Sequence, residues 1–190
     1  MEYDINARIS NRHVHLTKEV YDMLFDEELT KRNDLNQIGE FASTEVVTIK
    51  NGDKENKNVR VLGPFREYTQ VEISKRDART LGLNPPVRRS GELDGAEKIT
   101  LVTDKASVTV CGLIISERHV HVNTKDADKY GVVDKQLVKI KIDGEKSGVM
   151  DAYVKVSDNG FYELHIDTDD ANAFLLLDND KVTMIVWNFL

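Results

Sequence analysis

The chain contains the pattern Ile-Ser-x-Arg-His-Val-His twice, at residues 9–15 and 115–121. The two copies hold four of the five histidines in 190 residues, so chance is a poor explanation of the repeat. Side chains alternate between the two faces of an extended strand, so both histidines of a His-Val-His segment point the same way. Two converging imidazoles suit a transition metal such as zinc. Strand histidines that are half buried and satisfied by hydrogen bonds remain the alternative, which is weak for two matched copies.

The fifth histidine, His165, extends the repeat. Residues 163–171 and 70–78 share one layout when Glu72 is set against His165: an apolar residue, a candidate ligand, an isoleucine, a polar turn and Asp-Ala. The chain therefore carries two sets of three candidate metal ligands, here called the first set (His13, His15 and Glu72) and the second set (His119, His121 and His165). Three protein ligands leave coordination positions open, as in catalytic metal sites. The sequence predicts an internally duplicated protein with two metals.

Composition and charge narrow the possible partners. The net charge of −7 argues against nucleic acid, because proteins that bind it usually present basic patches. The first residues lack the basic and apolar regions of a signal peptide, and no apolar run is long enough to span a bilayer. The single cysteine, Cys111, fits a reducing cytosol, and its apolar surroundings predict a core position. We expect a cytoplasmic protein whose partners are neither nucleic acid nor a membrane.

Alternating polar and apolar residues predict a mainly β protein. Short strands are indicated at 43–50, 57–62, 98–103, 106–115, 136–142, 149–156, 160–166 and 181–187. Asn51-Gly52 is a hairpin signal between the first two of them. Four short helices are predicted at 18–26, 76–81, 125–130 and 169–177, and Thr17 is the expected cap of the first. Many short strands with few helices are typical of β-barrels or sandwiches, and the repeat favours two small domains.

Arg66 and Ser90 are candidate anion ligands. Arg66 lies six residues before the candidate ligand Glu72, and arginine can bind phosphate through two parallel hydrogen bonds. Arg66 could therefore hold an oxyanion beside a metal. A surface salt bridge from Arg66 to Glu67 or Asp77 is the alternative. Ser90 ends a proline-rich loop and could donate to an anion, although an ordinary turn residue is an equally good interpretation.

Six segments in combination resemble one enzyme family. They are N-R-H-V-H-L (11–16), G-P-F-R-E-Y-T-Q-V-E-I-S (63–74), D-A-R-T-L-G-L (77–83), P-V-R-R-S-G (86–91), I-I-S-E-R-H-V-H (114–121) and L-H-I-D-T-D-D-A-N-A (164–173). From about Ile9 to Trp187 the chain resembles the zinc-dependent phosphate acyltransferases (phosphotransacylases) of the PduL type. These enzymes interconvert acyl-CoA plus phosphate with acyl phosphate plus CoA. The resemblance implies two small β-barrel domains related by duplication, short helices, and an active site between the barrels.

The resemblance also implies domain bounds and assembly. Barrels of this family exchange segments, so residues 12–116 are expected to form the first barrel domain, and residues 1–11 with 117–190 the second. Homodimers or larger homo-oligomers are expected. Members from microcompartments carry an amphipathic N-terminal extension. Only about eight residues precede the first motif here, which favours a cytoplasmic enzyme.

Roles for individual residues follow from the same resemblance. Two Zn²⁺ ions, or other divalent transition metals, would be held by the first and second sets. Arg66 would be catalytic and would bind phosphate, with Ser90 as a second candidate donor. CoA, a substrate, would be contacted by five residues: Ile9, Ser10, Asn11, Arg60 and Asn172.

The implied function is a phosphate acyltransferase acting on acetyl or propanoyl groups. The thiol of CoA, held at the first metal, would attack the acyl phosphate directly, while the second metal and Arg66 would hold the phosphoryl group. Two alternatives use the same ligands. A two-metal hydrolase would cleave phosphoesters or amides with a hydroxide and would need no CoA. A cupin-like metal-binding module would also place His-x-His on a β-barrel.

Overall fold

The computed structural model describes residues 1–187, which form two compact units. The central unit consists of residues 11–116. The terminal unit combines residues 1–10 with the chain from Glu117 onward. Along the chain, a first segment of the terminal unit is therefore followed by the whole central unit and then by the rest of the terminal unit.

The elements are numbered along the chain. Strand β1 (Glu2–Ser10) belongs to the terminal unit. The central unit contains β2 (His13–His15), α1 (Lys18–Leu24), β3 (Lys31–Asp34), β4 (Phe41–Asn51), β5 (Lys54–Gly63), β6 (Gln70–Ile73), α2 (Lys75–Leu81), β7 (Val87–Arg88), β8 (Glu97–Val102) and β9 (Ser107–Ser116). The terminal unit continues with β10 (His119–Asn123), α3 (Ala127–Tyr130), β11 (Leu137–Ile142), β12 (Gly148–Ser157), β13 (Glu163–Asp167), α4 (Thr168–Phe174) and β14 (Lys181–Ile185).

Both units are built on a closed ring of six strands. In the terminal unit the order is β1-β13-β10-β12-β11-β14, and β14 pairs again with β1. In the central unit the order is β9-β6-β2-β5-β4-β8, and β8 pairs again with β9. Strands β3 and β7 extend this second sheet outside its ring, on β4 and β9. The expected fold class, mainly β with two small barrels and short helices, is confirmed.

The two rings have the same pairing, strand for strand. Each His-Val-His strand lies between one parallel and one antiparallel neighbour: β2 between β5 and β6, and β10 between β12 and β13. The strand that precedes each His-Val-His segment belongs to the other unit. Strand β9 completes the central ring and leads into β10, whereas β1 completes the terminal ring and leads into β2.

Alternating side chains build a separate core in each unit. In β11, Val138, Ile140 and Ile142 are buried while the residues between them face outward. The same alternation corrects one expectation. Cys111 is exposed, not a core residue, because its neighbours in β9 are the ones that point inward. Its sulfur lies 3.3 Å from the carbonyl oxygen of Ala96.

Helices α1, α3 and α4 are shorter than the sequence patterns indicate, whereas α2 begins one residue earlier than predicted. Thr17 caps α1 as expected, by accepting a hydrogen bond from the backbone N–H of Val20, but α1 ends at Leu24. Helix α4 ends at Phe174 because Leu175 takes a left-handed backbone conformation, which a helix cannot continue. No helix within residues 1–187 is long and apolar enough to cross a membrane.

Candidate metal and anion sites

Strand register brings each set of candidate ligands together. His13 lies directly opposite Glu72 on the antiparallel pair β2 and β6, and His119 lies directly opposite His165 on β10 and β13. The second histidine of each strand points to the same face. In both sets the three potential ligand atoms lie within 4.8 Å of one another. The duplicated pattern in the sequence therefore corresponds to duplicated geometry.

A backbone carbonyl orients the first histidine of each set. His13 Nδ1 lies 2.8 Å from the carbonyl oxygen of Asn11, and His119 Nδ1 lies 2.8 Å from that of Glu117. A carbonyl can only accept, so in both rings Nδ1 carries the proton. The lone pair of each imidazole is then on Nε2, on the side of the other ligands. This arrangement is the usual way in which proteins orient a histidine that binds a metal.

The first set couples a histidine to a carboxylate. Glu72 is buried, and its Oε2 lies 3.6 Å from His13 Nε2. Burial alone would raise the pKa of Glu72, but the charge of His13 and hydrogen bonds outweigh it and hold that pKa well below its usual range. Burial also opposes a charge on His13, yet the carboxylate raises its pKa. The buried Glu72 carboxylate thus favours a positive charge beside it, and a divalent cation bound between His13 and Glu72 would supply that charge.

The second set consists of three imidazoles. Nε2 of His119 lies 3.1 Å from Nε2 of His121. Burial and the two neighbouring histidines lower the pKa of His121, so its ring is neutral. In the described part of the chain, the buried Nε2 of His165 has no hydrogen-bond partner. Buried nitrogen lone pairs are costly without a partner, and Zn²⁺ accepts this donor set, so the residues fit a metal.

Gln70 and Glu163 occupy equivalent strand positions, two residues before the third ligand of each set. Neither was predicted as a site residue. Each lies opposite the second histidine of its strand pair. The Gln70 side-chain amide donates to Glu72 Oε1 at 2.5 Å. Oε2 of Glu163 lies 3.7 Å from His165 Nε2 and 3.6 Å from Arg8 Nε. The signal was available, because both residues stand two positions before the third ligand in the repeat.

Arg66 and Ser90, which are distant in sequence, are in direct contact. Arg66 Nη1 donates to Ser90 Oγ at 2.9 Å, and the Ser90 hydroxyl also accepts from the Gln70 amide at 3.0 Å. A chain of hydrogen bonds therefore runs from Arg66 through Ser90 and Gln70 to the candidate ligand Glu72. The backbone N–H of Arg66 bonds to the carbonyl of Leu16, the residue after His15. Both candidate phosphate ligands thus lie beside the first set.

Arg66 forms a salt bridge, but the partners predicted as the alternative, Glu67 and Asp77, are wrong. Arg66 Nη2 bonds to Glu40 Oε1 at 2.7 Å, and not to Glu67 or Asp77. Asp77 instead pairs with Arg12. The Arg66 side chain is only 19% exposed, so this is not a pair on an open surface. Glu40 lies on a loop far from Arg66 in the chain, and local spacing could not identify it.

The residues predicted to contact CoA are divided between the two units. Ile9 and Ser10 end β1, opposite Ile166 and Asp167 of β13, and Asn172 is an exposed residue of α4. The remaining two belong to the central unit, where Asn11 orients His13 and Arg60 lies beside His13 on β5.

The Arg60 guanidinium is occupied within its own unit. It donates to the backbone carbonyls of Ser43 and Thr44 at 3.0 and 2.9 Å. Both bonds come from Nη1, so Nε or Nη2 could contact a ligand without replacing either bond.

Comparison with known proteins identifies one family. Residues 6–177 match the family described as phosphate propanoyltransferase. A phosphate propanoyltransferase of Thermotoga maritima is 44% identical over 189 residues, which cover 97% of this chain and 90% of the relative. One from Clostridioides difficile is 44% identical and covers 89% and 83%, and one from Rhodopseudomonas palustris is 39% identical and covers 96% and 82%. The resemblance noted in the sequence is confirmed, and the chain belongs to the phosphate propanoyltransferase family.

Proposed function

We propose that this protein is a phosphate acyltransferase that interconverts short-chain acyl-CoA and phosphate with acyl phosphate and CoA. Family membership makes the chain an enzyme that transfers acyl groups. The observation that carries the finer proposal is the contact of Arg66 with Ser90 beside the first set of ligands. A guanidinium and a hydroxyl that converge next to a cation site form a phosphate-binding arrangement.

Two divalent metals, with zinc as the best chemical fit, complete the proposed centre. His13, His15 and Glu72 would hold one, and His119, His121 and His165 the other. When bound, such ions supply Lewis-acid charge and lower the pKa of a coordinated thiol or water. Asn11 and Glu117 keep the Nε2 lone pairs of the first histidines directed into the sets, and Gln70 holds Glu72 in place. His13, His119 and Glu72 are thus oriented before a substrate arrives.

Arg66 and Ser90 would bind the phosphoryl group. The Ser90 hydroxyl can turn its hydrogen toward an anion, and Arg66 Nη1 can exchange its bond to Ser90 or Tyr68 for one to the anion, while Nη2 remains bonded to Glu40. Glu40 thereby fixes the plane of the guanidinium. Because charge develops on the leaving phosphate during acyl transfer, donors that are already in place stabilise the transition state.

For CoA we propose contacts to Ile9, Ser10, Asn11, Arg60 and Asn172. Asn172 offers an exposed amide, and Arg60 carries the positive charge that phosphate groups of CoA would require. Direct attack of the thiol on the acyl phosphate needs no covalent acyl-enzyme. The only cysteine, Cys111, has its sulfur near the Ala96 carbonyl on the outer face of β9 and belongs to neither ligand set.

The proposal extends to assembly and location. We propose a homodimer or larger homo-oligomer, to be tested by light scattering of the purified protein. A cytoplasmic location is supported by the free thiol of Cys111, since exposed free cysteines are typical of reducing compartments. We also propose that the two units arose by duplication, because their strand pairing and ligand registers are the same.

The decisive experiment follows free thiol and acyl phosphate together. Purified protein loaded with Zn²⁺ is mixed with acetyl-CoA or propanoyl-CoA, with and without phosphate. Phosphate-dependent release of CoA, with acyl phosphate formed in equal amount and loss of both after chelation, is the expected result. Equal CoA release without phosphate would instead identify a hydrolase. Metal binding without turnover would identify a binding module.

A further inference from the structure

Each ligand set is flanked by an arginine and an aspartate in matching positions. Arg12 and Arg118 immediately precede His13 and His119. Nη1 of Arg12 lies 3.1 Å from Asp77 Oδ1 on α2. Nε and Nη2 of Arg118 each lie 2.7 Å from one carboxylate oxygen of Asp170 on α4. The same pair therefore occurs in both units, although its partners are far apart in the chain.

The two aspartates occupy the same place in their helices. The N-cap Ser74 follows the third ligand Glu72 by two residues, and its hydroxyl accepts from the backbone N–H of Asp77. The N-cap Asp167 stands in the same relation to His165, and its carboxylate accepts from the N–H of Asp170. Each aspartate is thus fixed by the first turn of the helix that follows the third ligand.

Each arginine lies in the backbone segment that orients the first histidine of its set. Arg12 stands between His13 and Asn11, whose carbonyl orients the His13 ring, and Arg118 stands in the same way between His119 and Glu117. In each unit, the ion pair between arginine and aspartate therefore connects the backbone segment with this carbonyl to the helix that follows the third ligand. First and third ligands are joined twice, by strand register and by the ion pair.

We propose that Arg12 and Arg118 are positioning residues, each of which holds the first histidine of its own set in the geometry that binds metal. This rests on the proposed two-metal centre. Arg118 makes two bonds and Arg12 one longer bond, so loss of Arg118 has the larger effect. Partners outside the ligand shell affect metal affinity by about 10- to 100-fold. The arginines act through a carbonyl and are partly exposed, so we expect about tenfold for Arg118 and less for Arg12.

The duplication supplies its own control. In a His13→Ala, His15→Ala background only the second set can bind Zn²⁺, and Arg118→Gln should then weaken binding about tenfold in competition with a chromophoric chelator. Arg12→Gln in that background should leave the affinity unchanged. In a His119→Ala, His121→Ala background the dependence should be reversed. Equal effects of both arginines on one set would overturn the proposal, because they would indicate a general loss of stability.

A second measurement separates positioning from folding. Asp170→Asn should reproduce the effect of Arg118→Gln, and the double variant should be no worse than either single variant. The melting temperatures of the metal-free variants provide the folding control. On the otherwise unmodified chain, Arg118→Gln should also change the ligand-field absorption of Co²⁺ at the second set. Unchanged affinity and an unchanged spectrum would overturn the proposal. Failure of the unmodified chain to bind two Zn²⁺ would instead overturn the metal centre itself.

Discussion

Gln70 and Glu163 occupy equivalent positions in the two barrels, each directly opposite the second histidine of its His-Val-His strand. In the first set the neutral Gln70 accompanies an acidic third ligand, Glu72. In the second set the acidic Glu163 accompanies a third ligand that is a histidine, His165. Each barrel therefore has one carboxylate at this end of its third-ligand strand. In the first set it belongs to a ligand, and in the second set it lies beside one. This exchange keeps the negative charge near the two ligand sets similar.

We predict that Glu163→Gln weakens Zn²⁺ binding at the second set by about 10- to 100-fold, because the charge that compensates the cation is removed. Zinc affinity is measured by competition titration in the His13→Ala, His15→Ala background. Asp178→Asn is the matched control, since it removes the other carboxylate that contacts Arg8 but belongs to neither ligand set. Equal effects of the two substitutions would mean that Glu163 acts only through Arg8.

The metal content of the whole protein should be close to two divalent ions per chain. His13→Ala with His15→Ala should lower it to about one, because each ligand set lies within a single barrel. Elemental analysis of folded, active protein provides the measurement. A content of one ion in the unmodified protein, or loss of both ions from the variant, would contradict two independent ligand sets.

Arg66→Lys should lower the turnover number by about 10²–10³, or roughly 3–4 kcal/mol in the transition state. Lysine keeps the charge but cannot bond to Glu40 and Ser90 through one planar group. Metal content should stay unchanged, because Arg66 is not a ligand. Ser90→Ala should have a smaller effect and should raise the KM for phosphate. Steady-state kinetics in both directions, with metal analysis of the same samples, test this. A near-normal rate would reduce Arg66 to a structural ion pair.

Tyr21 provides a prediction for alkaline pH. Its side chain is buried, and within residues 1–187 its hydroxyl has no hydrogen-bond partner. Burial, with a contribution from Glu45, raises the pKa of Tyr21 to about 12. The folded state therefore keeps a proton that the unfolded chain loses above pH 10, so stability falls as the pH rises from 10 to 12.

Tyr21→Phe should remove this part of the alkaline loss. At pH 7 the free energy of unfolding should be unchanged or about 1 kcal/mol higher, because the hydroxyl no longer needs to be buried without a partner. Denaturant unfolding at several pH values tests both statements. An equally steep loss for the variant between pH 10 and 12 would contradict the assignment to Tyr21.

Much of the fold and the ligand sets could be predicted because the signals are local and repeated. Strand alternation predicted a β-barrel or sandwich fold, the family resemblance implied two barrels, and the repeat aligned Glu72 with His165 before any register was known. The partner of Arg66 could not be predicted, because Glu40 reaches it through tertiary structure. Cys111 was misplaced because an apolar run does not reveal which residues face outward, and the sheet decides that.

The position of β1 in the terminal unit, ahead of the central unit in the chain, has a consequence for protein synthesis. Strand β1 leaves the ribosome before the whole central unit, whereas its partners β13 and β14 follow that unit. At about 5–20 residues per second, β1 waits for roughly 10 seconds or more with two exposed edges and with Ile5 and Ala7 unburied. The central unit is continuous in sequence and can fold during that time. Until β13 and β14 emerge, a nascent chain of this protein therefore depends on keeping β1 from pairing with other molecules.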